Sequence, residues 1–224
     1  GEATIVNVMY TFRGELIIPS TIGGYPVVAL GDRACNACTG ITGVTIQNGV
    51  KSIGTYAFSD CTNIEYINIP KSVDSLGAYA FYNCRTLKSI TIPNGVENIG
   101  NGTFESCKQI KKITIPNSVT SIGAYAFKNC YNLSNILLGA GVTTIAGYAF
   151  YDTNITGVWY TGNNKEDIII KSGNDELINA NWHYGACSFN HKFSADCDKT
   201  CNECEWEREV EGEHSYSADC DSDC

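Results

Sequence analysis

The amino-acid sequence predicts an α/β solenoid, in which short coils stack on one another and a parallel β-sheet covers one face. Side chains recur with a period of 23 residues, and within each period apolar and polar residues alternate, as in a strand with one buried face. The composition agrees, because 22 glycines, 13 tyrosines and only 17% charged residues favour strands and turns over long helices.

The 23-residue period is kept by four residue types at once. They are Cys38, Cys61, Cys84, Cys107 and Cys130; Phe58, Phe81, Phe104, Phe127 and Phe150; Gly31, Gly54, Gly77, Gly100 and Gly123; and Pro70, Pro93 and Pro116. Six such coils fit between Gly31 and Gly162. One coil cannot bury its own apolar face, so neighbouring coils are expected to pair their strands about 4.8 Å apart and share one core.

Each segment of a coil has its own expected structure. The residues Ile113–Ile115 alternate apolar and polar and predict a strand, which Pro116 ends because proline cannot extend a sheet. The apolar spacing from Ala80 to Cys84 predicts one short turn of helix. Gly77, just before this turn, is expected at a tight corner with a positive φ angle.

The sequence divides into four regions. They are an N-terminal cap and first coil (residues 1–30), the repeats (31–162), a C-terminal cap (163–186) and a small acidic tail rich in cysteine and histidine (187–224), whose second repeat is truncated. The apolar residues expected to pack in the C-terminal cap are Ile168, Ile169, Ile170, Leu177 and Ile178. Atypical end coils are expected because they must close the core against water.

Charge is unevenly distributed along the chain. Residues 1–163 contain 9 acidic and 10 basic side chains, a balance of +1, whereas residues 164–224 contain 15 acidic and 5 basic ones, a balance of −10. A nearly neutral body followed by an acidic tail argues against nucleic-acid binding, which needs a basic surface. No apolar run approaches the roughly 20 residues that span a bilayer, so we expect no membrane span.

One stretch of the repeat points to a known family. It reads Gly-Ala-Tyr-Ala-Phe-Tyr-Asn-Cys at residues 77–84 and continues with Leu87, Ile90, Ile92, Pro93 and Val96. This pattern resembles the BspA-like (Treponema-type) leucine-rich repeat, as does the opening segment at residues 18–27. The resemblance extends over residues 15–185 and implies a right-handed, curved solenoid on a bacterial or protist surface. It also implies adhesion without catalysis, through ligands that differ among members of the family.

The cysteines of the repeat are expected to be buried, unreactive thiols. Stacked side chains point the same way, which is poor geometry for a disulfide, and free cysteine is among the most buried residue types. Cys35 and Cys38 form a C-x-x-C pair, which would also suit a redox site. Both occupy core positions of the repeat, so we expect them to be buried as well.

A cluster of basic residues lies on two neighbouring coils, at Arg85, Lys88, Lys108, Lys111 and Lys112. Like charges on adjacent coils mildly oppose folding, so their presence suggests another role. The cluster is a candidate binding site for an anionic glycan or an acidic protein. The alternative is an ordinary solvated face.

Tyrosines occupy one position of the repeat at Tyr56, Tyr79, Tyr125 and Tyr148, interrupted by Gly102. They could form an exposed row that contacts a partner, because tyrosine is common in contact surfaces. The alternative is that each ring packs on the next.

Two apolar residues, Leu137 and Trp159, occupy outward positions on the last predicted strands. The equivalent positions of the preceding coils hold polar residues. Leu137 and Trp159 are therefore candidate ligand-binding residues, unless contacts with the C-terminal cap cover them.

The tail contains a candidate metal site. His191, Cys197, Cys201 and Cys204 match a structural zinc site in ligand type and number, although their spacing is not that of a standard zinc finger. Cys187 supplies a further thiol, which would allow two disulfides instead in an extracellular setting. Zinc, disulfides and neither are all open alternatives, and no other cofactor is expected.

Taken with the resemblance, these features predict a secreted or cell-surface binding or adhesion protein. Its expected partner is a host or matrix protein or an anionic glycan, bound by a monomer through the solenoid surface. The alternative is a structural spacer within a larger surface protein. We expect no enzyme, because the three histidines, His183, His191 and His214, all lie beyond the repeats.

Overall fold

The computed structural model describes residues 1–8 and 11–184, and in it the chain winds into a solenoid of about eight turns. Each turn contributes one strand to each of two parallel sheets and a run of tight turns to a third side. The predicted solenoid with parallel strand pairing is therefore confirmed.

The described residues form 17 short strands. In chain order they are β1 (Ala3–Ile5), β2 (Gly14–Ile18), β3 (Thr21–Ile22), β4 (Tyr25–Leu30), β5 (Ile41–Ile46), β6 (Ser52–Ile53), β7 (Tyr66–Asn68), β8 (Ser75–Leu76), β9 (Ser89–Ile90), β10 (Asn98–Ile99), β11 (Lys112–Ile115), β12 (Ser121–Ile122), β13 (Asn135–Leu138), β14 (Thr144–Ile145), β15 (Gly157–Tyr160), β16 (Ile169–Ile170) and β17 (Asn181–Tyr184). A 3-10 helix spans Lys165–Asp167, and a four-residue helix, α1, spans Asp175–Ile178.

Sheet one is the sheet that the alternating residues predict. Its two segments have the strand orders β2-β5-β7-β9 and β11-β13-β15-β17. Neighbouring strands pair in register across one repeat, as Ile113 does with Ile136 and Thr114 with Leu137. The first pair faces the core and the second faces outward, which confirms the predicted alternation.

Sheet two was not predicted. Its segments have the orders β1-β4-β6-β8 and β10-β12-β14-β16, with β3 added as an antiparallel hairpin partner of β4. Most of these strands are two residues long, which is too short for an alternating pattern to appear in the sequence. They form because coil stacking places equivalent residues such as Ile53 and Leu76 side by side.

The third side of the solenoid, called the turn side below, consists of tight turns rather than the predicted short helix. In each coil two residues have left-handed backbone angles, as at Tyr79 (φ 56°) and Asn83 (φ 59°). A right-handed helix cannot continue through such residues. Their backbone groups bond instead to the next coil, as Phe81 N–H does to the Thr103 carbonyl at 2.9 Å. The helical content of the α/β prediction is therefore nearly absent from the described residues.

The glycine that precedes these turns has a different role from the predicted one. Gly54 and Gly123 do not have positive φ angles. A Cβ atom on Gly54 would lie 2.6 Å from Asp32 N, and one on Gly123 would lie 2.7 Å from Asn101 N. Glycine is needed here because two coils approach closely, not because of its own conformation.

A stack of phenylalanine rings runs through the core. The rings of Phe58, Phe81, Phe104, Phe127 and Phe150 are fully buried, and successive centroids lie between 5.1 and 5.7 Å apart. Burial of each ring stabilises the fold by about 1.5–3 kcal/mol relative to an exposed ring. The repeat of phenylalanine in the sequence is thus a repeat of core contacts.

Both sheets are divided at the same level. The division separates β9 from β11 and β8 from β10, which places it between the coil of residues 75–97, with β8 and β9, and the coil of residues 98–120, with β10 and β11. On the turn side the coils are still bonded, since Tyr79 N–H donates to the Asn101 carbonyl at 2.8 Å. The two halves of the solenoid are therefore joined at this level mainly by the core and the turn side.

The C-terminal cap completes the hydrogen bonds of the last coil. Phe150 N–H donates to Asn174 Oδ1 at 2.9 Å, and Asp152 N–H donates to Glu176 Oε1 at 3.1 Å. In the other coils these N–H groups donate to backbone carbonyls of the following coil. Side-chain oxygens of the cap therefore replace the carbonyls that a further coil would provide.

Only part of the apolar set predicted for this cap is buried. Ile168 and Leu177 are 5% and 1% exposed and close the core. Ile169 and Ile178 are 65% and 40% exposed. Ile169 faces outward because neighbouring strand residues point in opposite directions.

Candidate functional site

The cysteines of the repeat are free and buried, as predicted. The thiols of Cys84, Cys107 and Cys130 each donate to a phenylalanine carbonyl of the preceding coil at 3.2 Å. Burial raises the pKa of the Cys61 and Cys130 thiols to about 12. Very little thiolate is present near neutral pH, so these residues are structural rather than reactive.

The C-x-x-C pair is likewise part of the core. Cys35 and Cys38 are free, with 0% and 1% exposure. Burial raises the pKa of both thiols, and for Cys35 the neighbouring Cys61 and Cys38 add to the effect. The geometry disfavours a redox site, which needs an accessible thiol with a lowered pKa.

Four of the five predicted basic residues lie together along one edge. Residues 85–88 join the turn side to β9, and residues 108–111 join it to β11 in the next coil. We call Arg85, Lys88, Lys108 and Lys111 the basic edge. Lys108 is half-buried and the other three are exposed.

The basic edge spans the level at which both sheets are divided. Arg85 and Lys88 belong to the coil before the division, and Lys108 and Lys111 belong to the coil after it. Each pair of like charges occupies equivalent positions on adjacent coils. Their repulsion opposes close pairing of the two coils, which agrees with the division found there.

Most of the positive charge on this edge is not neutralised. Lys88 pairs with Glu65 of the preceding coil at 2.6 Å. Within residues 1–8 and 11–184, Arg85, Lys108 and Lys111 have no carboxylate oxygen within the 4.0 Å limit of an ion pair. In the described part of the chain these three cations therefore have no carboxylate partner, and two of them, Arg85 and Lys111, are exposed.

The fifth basic residue, Lys112, lies apart from the edge. It is the first residue of β11, pairs in register with Asn135 of β13 and is half-buried. The structure therefore places Lys112 on sheet one rather than among the other four.

Three further side chains, which the sequence reasoning missed, extend the basic edge. Tyr131 continues the column of Arg85 and Lys108 on the following coil, is 44% exposed, and has the Lys108 Nζ 5.4 Å from its ring centroid. Gln109 and Asn132 form an adjacent column, with both side chains exposed and Asn132 Nδ2 3.5 Å from Gln109 Oε1. Their common position in the repeat was the signal that would have identified them.

The predicted tyrosine row forms two stacked pairs on the turn side. Tyr56 and Tyr79 lie 4.9 Å apart with an interplanar angle of 5°, and Tyr125 and Tyr148 lie 5.8 Å apart at 20°. Gly102 separates the pairs because the ring of Tyr79 lies over it. The packing alternative therefore holds for all four rings, although Tyr125 and Tyr148 also stay 37% and 44% exposed.

The two predicted apolar residues of sheet one differ in exposure. Trp159 is only 8% exposed, because β17 adds a strand beside it and the ring of His183 stacks on it with centroids 5.0 Å apart. Leu137, in the neighbouring strand, is half-buried. The cap contacts that the sequence left as an alternative thus cover Trp159, which makes it a poor ligand-binding candidate.

The predicted zinc ligands, His191, Cys197, Cys201 and Cys204, lie outside the described residues. Within residues 1–8 and 11–184, no three histidine, cysteine or acidic side chains are grouped so that they could hold a metal ion. In the same part of the chain no helix has the length and apolar character needed to cross a membrane.

Comparison with known proteins agrees with the geometry. Residues 28–156, more than half of the chain, match the family described as BspA type leucine-rich repeat region, in six copies. A leucine-rich repeat protein from T. pallidum is similar with a TM-score of 0.65 and 25% sequence identity, over 77% of this chain and 86% of that chain. A search of curated proteins found no match.

A leucine-rich cell surface protein from Faecalibacterium prausnitzii A2-165 is similar with a TM-score of 0.69 and 28% identity. The similarity covers 83% of this chain and 51% of that chain. The present chain thus spans about half the length of that protein.

Proposed function

The chain belongs to the BspA-type leucine-rich repeat family, and on this basis we propose that it is a cell-surface or secreted adhesion module that binds an acidic partner through its basic edge. Family membership supports a role in interactions at a surface, as does the similarity to a protein described as a cell surface protein. The observation that supports the location of the contact is the group of three cations, Arg85, Lys108 and Lys111, that have no ion pair among the described residues.

Electrostatics favour this edge over the rest of the solenoid. Residues 1–163 have a net charge of only +1, yet five of their ten basic side chains belong to two coils. Such local concentration raises the encounter rate with an acidic partner and orients it, even when the whole molecule is nearly neutral. Sheet one is a weaker candidate contact surface, because Trp159 is covered by the C-terminal cap and Leu137 is half-buried.

Binding of the full chain to purified extracellular-matrix proteins, glycans and intact host cells tests this proposal. An Arg85→Glu/Lys111→Glu variant should lose at least about tenfold in affinity, since each cation near an anionic surface is worth about 1 kcal/mol. A Lys51→Glu/Lys71→Glu variant changes the same net charge at two exposed lysines elsewhere and should bind normally. Failure of the full chain to bind any member of the panel would overturn the adhesion proposal and favour a spacer.

A further inference from the structure

We infer that the basic edge, together with Tyr131, Gln109 and Asn132, is a binding site for a linear sulfated or carboxylated polysaccharide. This inference rests on the proposed function, because both use the same surface. It goes further by choosing a polysaccharide over an acidic protein as the partner.

The cations of the basic edge are distributed over two adjacent coils. Arg85 and Lys108 occupy equivalent positions on adjacent coils, and the turn side bonds these coils together nearby, since Asn83 N–H donates to the Glu105 carbonyl at 2.8 Å. Lys111 lies three residues from Lys108, on the side toward sheet one. The cations therefore form a short array rather than a single pocket, which suits a polymer whose anionic groups repeat along its length.

An exposed aromatic ring lies at the end of this array. Tyr131 is 44% exposed, and Lys108 Nζ lies 5.4 Å from its ring centroid. A tyrosine ring combines an apolar body with a polar hydroxyl. A sugar ring has the matching combination of C–H surface and hydroxyl groups, so one sugar unit can pack on Tyr131 while its anionic group reaches Lys108.

A column of two amide side chains lies beside the cations. Gln109 and Asn132 are exposed, and each amide presents two N–H donors and one carbonyl acceptor. Sugar hydroxyls both donate and accept hydrogen bonds, so they can use the whole amide. The carboxylates of an acidic peptide accept only, so they would use the amide N–H donors alone.

The described residues place no exposed large aliphatic side chain beside the basic edge. Among the described residues, the exposed large aliphatic side chains belong to the end regions of the solenoid, at Val6, Ile17, Ile22, Ile169 and Ile178. Protein partners usually place aromatic or aliphatic residues in a desolvated centre surrounded by a polar rim. Apart from the ring of Tyr131, the side chains of this surface are polar, which suits a hydrated polysaccharide better.

The experiment titrates the full chain with size-defined heparan sulfate oligosaccharides at physiological salt, using calorimetry. Chemically desulfated oligosaccharides and poly-L-glutamate of similar length are tested beside them. We expect saturable binding to the sulfated oligosaccharide that is at least about tenfold tighter than binding to poly-L-glutamate.

Three variants locate the site. Lys108→Gln/Lys111→Gln should weaken binding about 30-fold, since each cation contributes about 1 kcal/mol at an anionic surface. Tyr131→Ala should weaken it about threefold to tenfold and leave the salt dependence unchanged, because it removes ring contact but no charge. Lys51→Gln/Lys71→Gln, the charge-matched control, should bind as the unmodified chain does.

If Lys51→Gln/Lys71→Gln lost as much affinity as Lys108→Gln/Lys111→Gln, the attraction would be non-specific and the inference would be overturned. Tighter binding to poly-L-glutamate, or no binding to the sulfated oligosaccharide, would also overturn it. In those two cases the proposed adhesion function would still stand if the matrix-protein panel gave binding that depends on Arg85 and Lys111. Circular dichroism of each variant separates loss of binding from loss of fold.

Discussion

Asn174 in the C-terminal cap accepts a hydrogen bond from the backbone N–H of Phe150 in the last coil, at 2.9 Å. The same side chain donates from Nδ2 to the carbonyls of Ala146 and Lys171, at 3.0 and 2.7 Å. Asn174 is fully buried, so no water can replace these partners. One side chain thus ends the stack of coils by satisfying backbone groups that another coil would otherwise bond.

Replacing Asn174 should therefore destabilise the solenoid. We expect Asn174→Ala to lower the free energy of unfolding by about 2–4 kcal/mol, since it leaves several buried backbone groups unpaired. Urea denaturation followed by circular dichroism measures the change. Asn163→Ala, at an exposed position of the same cap, is the control and should change stability by less than about 0.5 kcal/mol. Similar stability of both variants would mean that the cap does not need Asn174.

Substitution of Gly102 should destabilise the fold by more than its backbone angle alone explains. Its φ angle is 58°, and a Cβ atom would collide with the ring of Tyr79. Gly23 has nearly the same angle, 59°, with no atom within 4 Å of a Cβ. Each Ala variant carries a backbone strain of about 1–2 kcal/mol. Gly102→Ala should lower the free energy of unfolding by about 1 kcal/mol more than Gly23→Ala does, because Tyr79 must move as well.

Thermal and urea unfolding of the two alanine variants test this difference directly. A combined Gly102→Ala/Tyr79→Ala variant removes the ring and should recover the excess loss. Equal destabilisation of Gly102→Ala and Gly23→Ala would indicate that Tyr79 adapts without cost.

The buried thiols should make the fold sensitive to alkaline pH. Burial raises the pKa of Cys61 and Cys130 from 9.0 to about 12, so the unfolded chain loses these protons first. Their contribution to stability is fully present below pH 9.0 and is lost as pH rises toward about 12. Each thiol lowers the free energy of unfolding by up to about 1.4 kcal/mol per pH unit within this window.

A Cys61→Ala/Cys130→Ala variant should therefore show a shallower loss of stability between about pH 9 and pH 10.5. Urea denaturation at several pH values gives the slope. Val73→Ala/Val119→Ala truncates two buried residues without a titrating group and should retain the original slope. An unchanged slope in the cysteine variant would show that other groups cause the alkaline loss.

Glu65 should limit binding at the basic edge, because it neutralises Lys88 at 2.6 Å. We expect Glu65→Gln to tighten binding of the sulfated oligosaccharide about threefold to fivefold, since the freed ammonium joins the three other cations. Both side chains of this pair are more than half exposed, so stability should change by less than about 1 kcal/mol. Asp74→Asn removes an exposed carboxylate elsewhere and serves as the control. Weaker binding by Glu65→Gln would contradict the proposed site.

Much of one coil could be predicted from the sequence. The alternation around Ile113 and Ile115 indicated a strand of sheet one, and the 23-residue period of phenylalanine and cysteine indicated a shared core. Both patterns are local, and each is repeated several times. The turn side was harder to predict, because apolar spacing at Ala80 and Phe81 fits a helix and a buried tight turn equally well. No pattern of apolar residues in the sequence marks the left-handed backbone angles at Tyr79 and Asn83.

The sequence by itself determined the length of the coil, the side chains that fill its core and the parallel pairing of its strands. Only the tertiary structure decided which side chains of neighbouring coils contact one another and which residues close the end of the stack. It set Lys88 against Glu65, left Arg85 without a carboxylate partner among the described residues, and placed the cap over Trp159. The physical reason is distance along the chain. The strands and core residues of one coil follow from the order of neighbouring residues. The contacts between coils join side chains about one repeat apart, and the directions of those side chains depend on how the coils stack.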